Sequence, residues 1–146
     1  MSFEAALVQE LKDNSGVDAG IGDRIYSRKA PEGATIPFAV YEIDDSQHEY
    51  TMTGPAGLKR VNFGVTVVGA TFSDVVTNAS AIRNSLLAGS LAAGGTLGSG
   101  ANTQVVQRIA LTGEHDVHGK VDEGSDEIRY GRIQDYECWH VESVPS

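Results

Sequence analysis

The stretch from Arg60 to Leu87, "RVNFGVTVVGATFSDVVTNASAIRNSLL", decides the fold, because its hydrophobic period changes partway through. Over "RVNFGVTVVG", Val61, Phe63, Val65 and Val67 alternate with Asn62, Gly64 and Thr66, which predicts a strand with one buried and one wetter face. From Thr71 the period becomes helical. Val75, Ala79, Ile82 and Leu86 share one face, Ser73 is the expected N-cap with Asp74 in the first turn, and Gly89 is the expected stop.

Working toward the N-terminus, "IPFAVYEI" reads as a second strand whose start is covered on both sides, with Pro37 biasing Ile36 toward extended geometry. It continues into a polar hairpin arm, "DDSQHEYTMTGPAG", that turns at Gly54-Pro55. Ile25 and Tyr26 form a possible short strand, and Phe3, Ala6, Leu7 and Leu11 make one face of an opening helix. Ser2 is the expected cap of that helix, and "NSG" at Asn14 to Gly16 the expected stop. Toward the C-terminus, "GSLAAGGTLGSGAN" reads as a mobile glycine-rich connector, and "TQVVQRIAL" as a third strand. An acidic loop precedes the closing strand, "IRYGRIQDYECWHV", whose alternation slips at Gln134 and Asp135 and suggests a bulge or a change of which face is covered. The expected fold class is α+β: a single, mostly antiparallel four-stranded sheet with two main helices packed on one face. The whole chain, 1–146, is expected to be one domain with a long arm at 44–60, a Gly-rich loop at 88–102 and an acidic loop at 113–127.

Composition narrows the function classes. The net charge of −9 argues against gripping nucleic acid through its phosphates, which takes a basic stripe. No stretch reaches the roughly 20 apolar residues of a membrane span. "MSFEAALVQELKDN" lacks the basic start of a secretory signal, and the single Cys138 fits folding in a reducing cytoplasm.

Candidate chemistry is sparse. "GGTLGSGAN" contains no Lys-Ser or Lys-Thr pair and precedes a strand, so it is neither a P-loop nor a dinucleotide turn. "EHDVHGKVDEGSDE" gathers His115, Asp116, His118, Asp122, Glu123, Asp126 and Glu127, residue types that bind divalent metals. Its spacing matches neither an EF-hand nor a helical histidine pair, so a solvated loop is expected. Cys138 and His140 fall on one face of a strand, but beside Tyr136 and Trp139 that face reads as packing. No cofactor, no metal and no catalytic residue is assigned. His48, Glu49, Tyr50 and Met52 on the arm, with Asp122, Glu123, Asp126 and Glu127 in the acidic loop, are the candidate partner contacts.

In order and spacing, "FEAALVQEL", "VDAGIGDRIYSRKAPEGATIPFAVYEI", "GPAGLKRVNFGVTVVGATFSDVVTNASAIRNSLL" and the closing strand with its Trp139-His140 pair resemble the tail-completion or tail-terminator proteins of long-tailed bacteriophages and gene-transfer particles. The glycine-rich run and His140, where a Tyr is more usual, depart from that pattern. The resemblance implies a structural protein of the virion, not an enzyme: a ring, typically of six copies, that caps the tail tube and joins it to the head connector. Its implied partners are itself, the tail tube protein and the connector protein, with DNA only in transit and no membrane. It would sit at the head-proximal end of the tail after assembly in the host cytoplasm. A head-side neck adaptor is the nearest alternative, and a small metal-dependent hydrolase using the His115–Glu127 cluster is the alternative from another class.

Overall fold

The computed structural model describes residues 3–51, 54–87, 95–120 and 128–141. Along the chain run α1 (Phe3–Asp13), α2 (Ser15–Gly20), β1 (Ile25–Ser27), β2 (Phe38–Thr51), β3 (Gly54–Gly69), α3 (Phe72–Leu86), β4 (Gly95–Ser99), β5 (Asn102–Lys120) and β6 (Ile128–Val141). The strands form one six-stranded sheet in the order β1-β2-β3-β6-β5-β4. β1 is parallel to β2, and every other pairing is antiparallel.

This corrects the expected fold class: among the described residues the sheet is six-stranded and mixed, not four-stranded, and a short helix, α2, accompanies the two main ones. The two extra strands are short edge pieces that carry little hydrophobic signal of their own. β1 is tied on by backbone bonds, Ala39 N–H to the Arg24 carbonyl at 3.0 Å and Arg28 N–H to the Tyr41 carbonyl at 2.7 Å. Arg24 adds a side-chain clamp, its Nε donating to the Pro37 carbonyl at 2.8 Å and its Nη2 to the Gly20 carbonyl at 3.2 Å. These bonds lay β1 beside the start of β2.

β4 occupies part of the glycine-rich segment expected to be a connector. Leu97 is its apolar anchor and is fully buried. The polar edge of α1 holds the rest: Gly98 N–H donates to Glu10 Oε1 at 3.1 Å, and Ser99 Oγ donates to Asp13 Oδ2 at 2.5 Å. Gly98 and Gly100 take φ of 85° and 58°, a backbone region that glycine enters without steric cost, and the β4–β5 turn uses it. Positions 113–120, expected to be loop, are the second half of β5, paired with β6 from Gly113↔Asp135 to Lys120↔Ile128.

One face of the sheet builds the core. Val61, Phe63, Val65 and Val67 of β3, Tyr136 and Cys138 of β6, and Val106 and Ile109 of β5 pack with Phe3, Leu7 and Leu11 of α1 and Ala79, Ile82 and Leu86 of α3. Phe63 stacks on Tyr136 at 5.2 Å between centroids, and Phe3 stacks on His140 at 5.2 Å. Helix boundaries differ from the expected caps. Thr71, not Ser73, caps α3 by accepting from Asp74 N–H. Asn14 ends α1 and also starts α2, its side chain accepting from Gly16 and Val17 N–H at 3.0 and 3.1 Å. The expected stop is thus also a start, because an Asn side chain satisfies N-terminal donors better than it continues a helix.

Candidate assembly surfaces

Register places the open features of the sheet. The β2–β3 arm reaches its tip with Thr51↔Gly54 and passes the end of β6 at Leu58↔Val141. His48, Glu49 and Tyr50 lie on the β2 side of this arm, opposite Lys59, Leu58 and Pro55. Met52 lies outside the described residues. The β4–β5 turn points the same way as the arm, whereas the β5–β6 hairpin points the opposite way. Asp122, Glu123, Asp126 and Glu127 lie outside the described residues.

The face of the sheet away from the core is acidic at mid-height. Glu42, Gly64, Asp135 and Gly113 are aligned across four adjacent strands. Asp44 and Asp135 both crowd toward Gly64, where an added Cβ would lie 3.5 Å from Asp135 Oδ1 and 3.7 Å from Asp44 Oδ2. Partial desolvation, then repulsion from Glu42 and Asp135, raises the Asp44 carboxyl above its ordinary range. Toward the arm end the same face changes sign: Arg60, Trp139 and Arg108 are in register, with the Arg108 guanidinium 5.4 Å from the Trp139 ring centroid.

A polar network links the sheet to α3 on the core side. Gln134 is fully buried, and its Nε2 donates to the Ala79 carbonyl at 3.0 Å and to Glu114 Oε2 at 2.8 Å. Its Oε1 accepts from the Tyr136 hydroxyl at 2.9 Å. Burial, and then the charge of Glu114, pushes the Tyr136 phenol up, so it stays a donor. Outward from Gln134, Arg132 bridges Glu114 at 3.7 Å and Asp116 at 2.6 Å, with Arg83 near Glu114 at 3.9 Å. The bond from Arg132 holds the Asp116 carboxyl below its usual range. Phe72, 46% exposed, lies under the Arg132 guanidinium at 5.7 Å.

This network answers the apparent slip at Gln134 and Asp135. β6 pairs with β3 without a register break, and the register shifts lie between β2 and β3 and between β5 and β6, with the extra residues in β2, β3 and β5. Gln134 is an inward residue that happens to be polar; its partners from α3 and β5 satisfy the amide nitrogen, and Tyr136 of β6 itself satisfies the oxygen. Sequence reasoning missed it because nothing local marks a buried glutamine whose acceptor is a helix carbonyl 55 positions away.

His115, Asp116 and His118 do not converge. Opposite residues of β6, Ile133, Arg132 and Tyr130, face them, and Asp116 is held by Arg132. Among the described residues no group of three or more His, Cys, Asp or Glu could hold a metal ion. Cys138 is buried, and burial pushes its thiol up to about 12, so it is a packing residue.

Comparison with known proteins connects the chain to a family and to solved structures. The family model "Tail completion protein gp17" matches residues 5–118. No curated protein matches the chain. A solved structure titled "Virion of native gene transfer agent (GTA) particle" contains a chain that aligns over 95% of this chain and 95% of its own length, at 17% identity and a TM-score of 0.54. At that identity the likeness is one of fold.

Proposed function

The chain belongs to the tail completion protein gp17 family, structural proteins of phage-type tails, and on that premise we propose that it closes the head-proximal end of the tail tube as a ring. Six copies is the expected number. The ring joins the tube to the head connector, and the genome passes through its centre. The chain assembles in the host cytoplasm and remains in the finished particle.

The observation that carries this reading is the family match over 5–118, and the acidic row across the open sheet face supports the channel. A carboxylate-lined passage repels phosphates over a Debye length of about 8–10 Å at physiological salt, so DNA moves through without adhering. Glu42, Asp44 and Asp135 are the proposed lining residues. The arm bearing His48, Glu49, Tyr50 and Met52 and the segment bearing Asp122, Glu123, Asp126 and Glu127 are the proposed contacts with tube and connector.

Negative-stain images and light scattering of the purified chain, alone and with isolated tail tubes, test the reading. Rings with a central hole, seated on tube ends, are expected. Normal joining of heads to tails in particles lacking this chain would refute it. Binding to head connectors but never to tubes would move the chain to the neck.

A further inference from the structure

The outer edges of β2 and β5 are each closed by a short strand at one end and left unpaired along the rest. β1 covers β2 only at Ala39–Tyr41, and β4 covers β5 only at Asn102–Val106. No described strand pairs with the outer edge of β2 from Glu42 to Thr51, or with that of β5 from Gln107 to Lys120. At about 3.3 Å per residue each open run is on the order of 30–45 Å long. An unpaired edge presents a row of N–H and C=O groups ready to pair with another chain, and proteins that stay monomeric usually keep such edges short or interrupt them. Neither run contains proline. Register shifts fall between Ile43 and Asp45 and between Glu49 and Tyr50 in the β2–β3 pairing, and between Val106 and Arg108 and between Leu111 and Gly113 in the β5–β6 pairing. Between them, Asp45–Glu49 and Gly113–Lys120 remain regular.

We infer that β2 of one copy pairs antiparallel with β5 of the next, continuing the sheet from subunit to subunit. This rests on the ring reading above and supplies its contact. Three features make a second copy the occupant. The first is direction. β2, β3, β6 and β5 alternate in sense, so β5 runs opposite to β2. A neighbour related by rotation about an axis to which the strands are tilted therefore presents β2 in the sense that keeps the alternation. Such a head-to-tail contact uses two different patches, the kind of contact that closes rings.

The second feature is fit. β1 and β4 sit at opposite ends of the sheet, so each leaves clear the end of the edge that the other blocks. They act as stops that fix the stagger between neighbours, as strand tilt requires in a closed sheet. The third is charge. The open run of β2 carries Glu42, Asp44, Asp45 and Glu49 and no Lys or Arg. The acids of the β5 run, Glu114 and Asp116, are engaged by Arg132. Arg108, His115, His118 and Lys120 complete that run, so it meets the acidic edge without matching its charge.

Cross-linking tests the pairing. Asp44→Cys and Val117→Cys chains, both keeping the buried Cys138, are treated with a short bis-maleimide separately and mixed, with the unmodified chain as control. Glu42→Cys replaces Asp44→Cys if the latter does not fold. A dimer that forms only in the mixture, and a ladder from the double variant that stops at the ring size, are the expected results. A dimer from Val117→Cys alone, as strong as in the mixture, would mean β5 pairs with itself and would overturn the inference. Rings of the unmodified chain in images, with no cross-link in the mixture, would overturn the inference and leave the ring reading standing. Neither rings nor cross-links, with or without tail tubes, would sink both.

Discussion

Replacing Tyr136 with Phe tests whether the buried network, and not only apolar packing, joins α3 to the sheet. The ring of Tyr136 stacks on Phe63 and is 1% exposed, so Tyr136→Phe keeps the shape and removes one donor. Gln134 Oε1 then loses the hydroxyl that donates to it, inside a site that is fully buried. An unsatisfied buried acceptor costs about 1–3 kcal/mol. For a small domain with a urea m-value of about 1–3 kcal/mol/M, a loss of about 2 kcal/mol lowers the midpoint by about 1 M at unchanged m. Adding Gln134→Leu removes the orphaned acceptor, so the double variant is expected to lose less than the sum of the two single losses. Urea unfolding followed by tryptophan fluorescence, using Trp139, measures all three. A Tyr136→Phe midpoint equal to that of the parent, or strictly additive losses, would refute the account of the network.

Other substitutions probe different links. A Cβ at Gly20 would run into the Asn78 side chain, which is buried between α2 and α3, so Gly20→Ala should cost about 1–3 kcal/mol by overpacking in the same assay. Asp44 has a folded-state pKa raised above its unfolded value near 3.8, so its ionisation destabilises the fold once the pH exceeds that value. Asp44→Asn should therefore raise the thermal midpoint at pH 7, and the gain should vanish as the pH falls below about 3.8. Asp116 has the opposite sign: its pKa is lowered by Arg132, so its contribution is present above about 3.8 and is lost as pH falls through the folded value. Asp116→Asn should lower the midpoint at pH 7 and change nothing in strong acid. Cys138 should not react with a thiol reagent in the folded chain at pH 8 and should react at once in denaturant, because its thiol is buried and pushed up to about 12. Fast labelling of the folded chain would contradict the burial.

The strongest periodic signals in the chain were read correctly from sequence. β3 and α3 each bury every residue expected on the inner face, from Val61 to Val67 and from Val75 to Leu86. The sheet size was not legible. β4 has a single buried apolar residue, Leu97, and what orders its glycines is a pair of carboxylates on α1 some 86–88 positions earlier. The outer half of β5 is polar on both faces, so composition marks it as loop although β6 pairs with it. Gln134 broke the alternation of β6 for the same reason: both acceptors of its amide nitrogen, on Ala79 and Glu114, come from distant segments, and local pattern has no access to them. The candidate contacts were chosen for polarity and position, whereas the open edges that carry the inference above depend on strand order, which no single segment reveals.

Gln134 donates to the carbonyl of Ala79, in the middle of α3 and not at its end. A helix held only by greasy side chains can slip along a sheet by small shear steps as domains rearrange. Here a peg from the sheet catches the helix at one rung, and slipping would leave one N–H of the buried Gln134 amide without its acceptor in a dry interior. The α3–sheet unit therefore behaves as a rigid voussoir, and any give in an assembly of such units must fall in the joints between them.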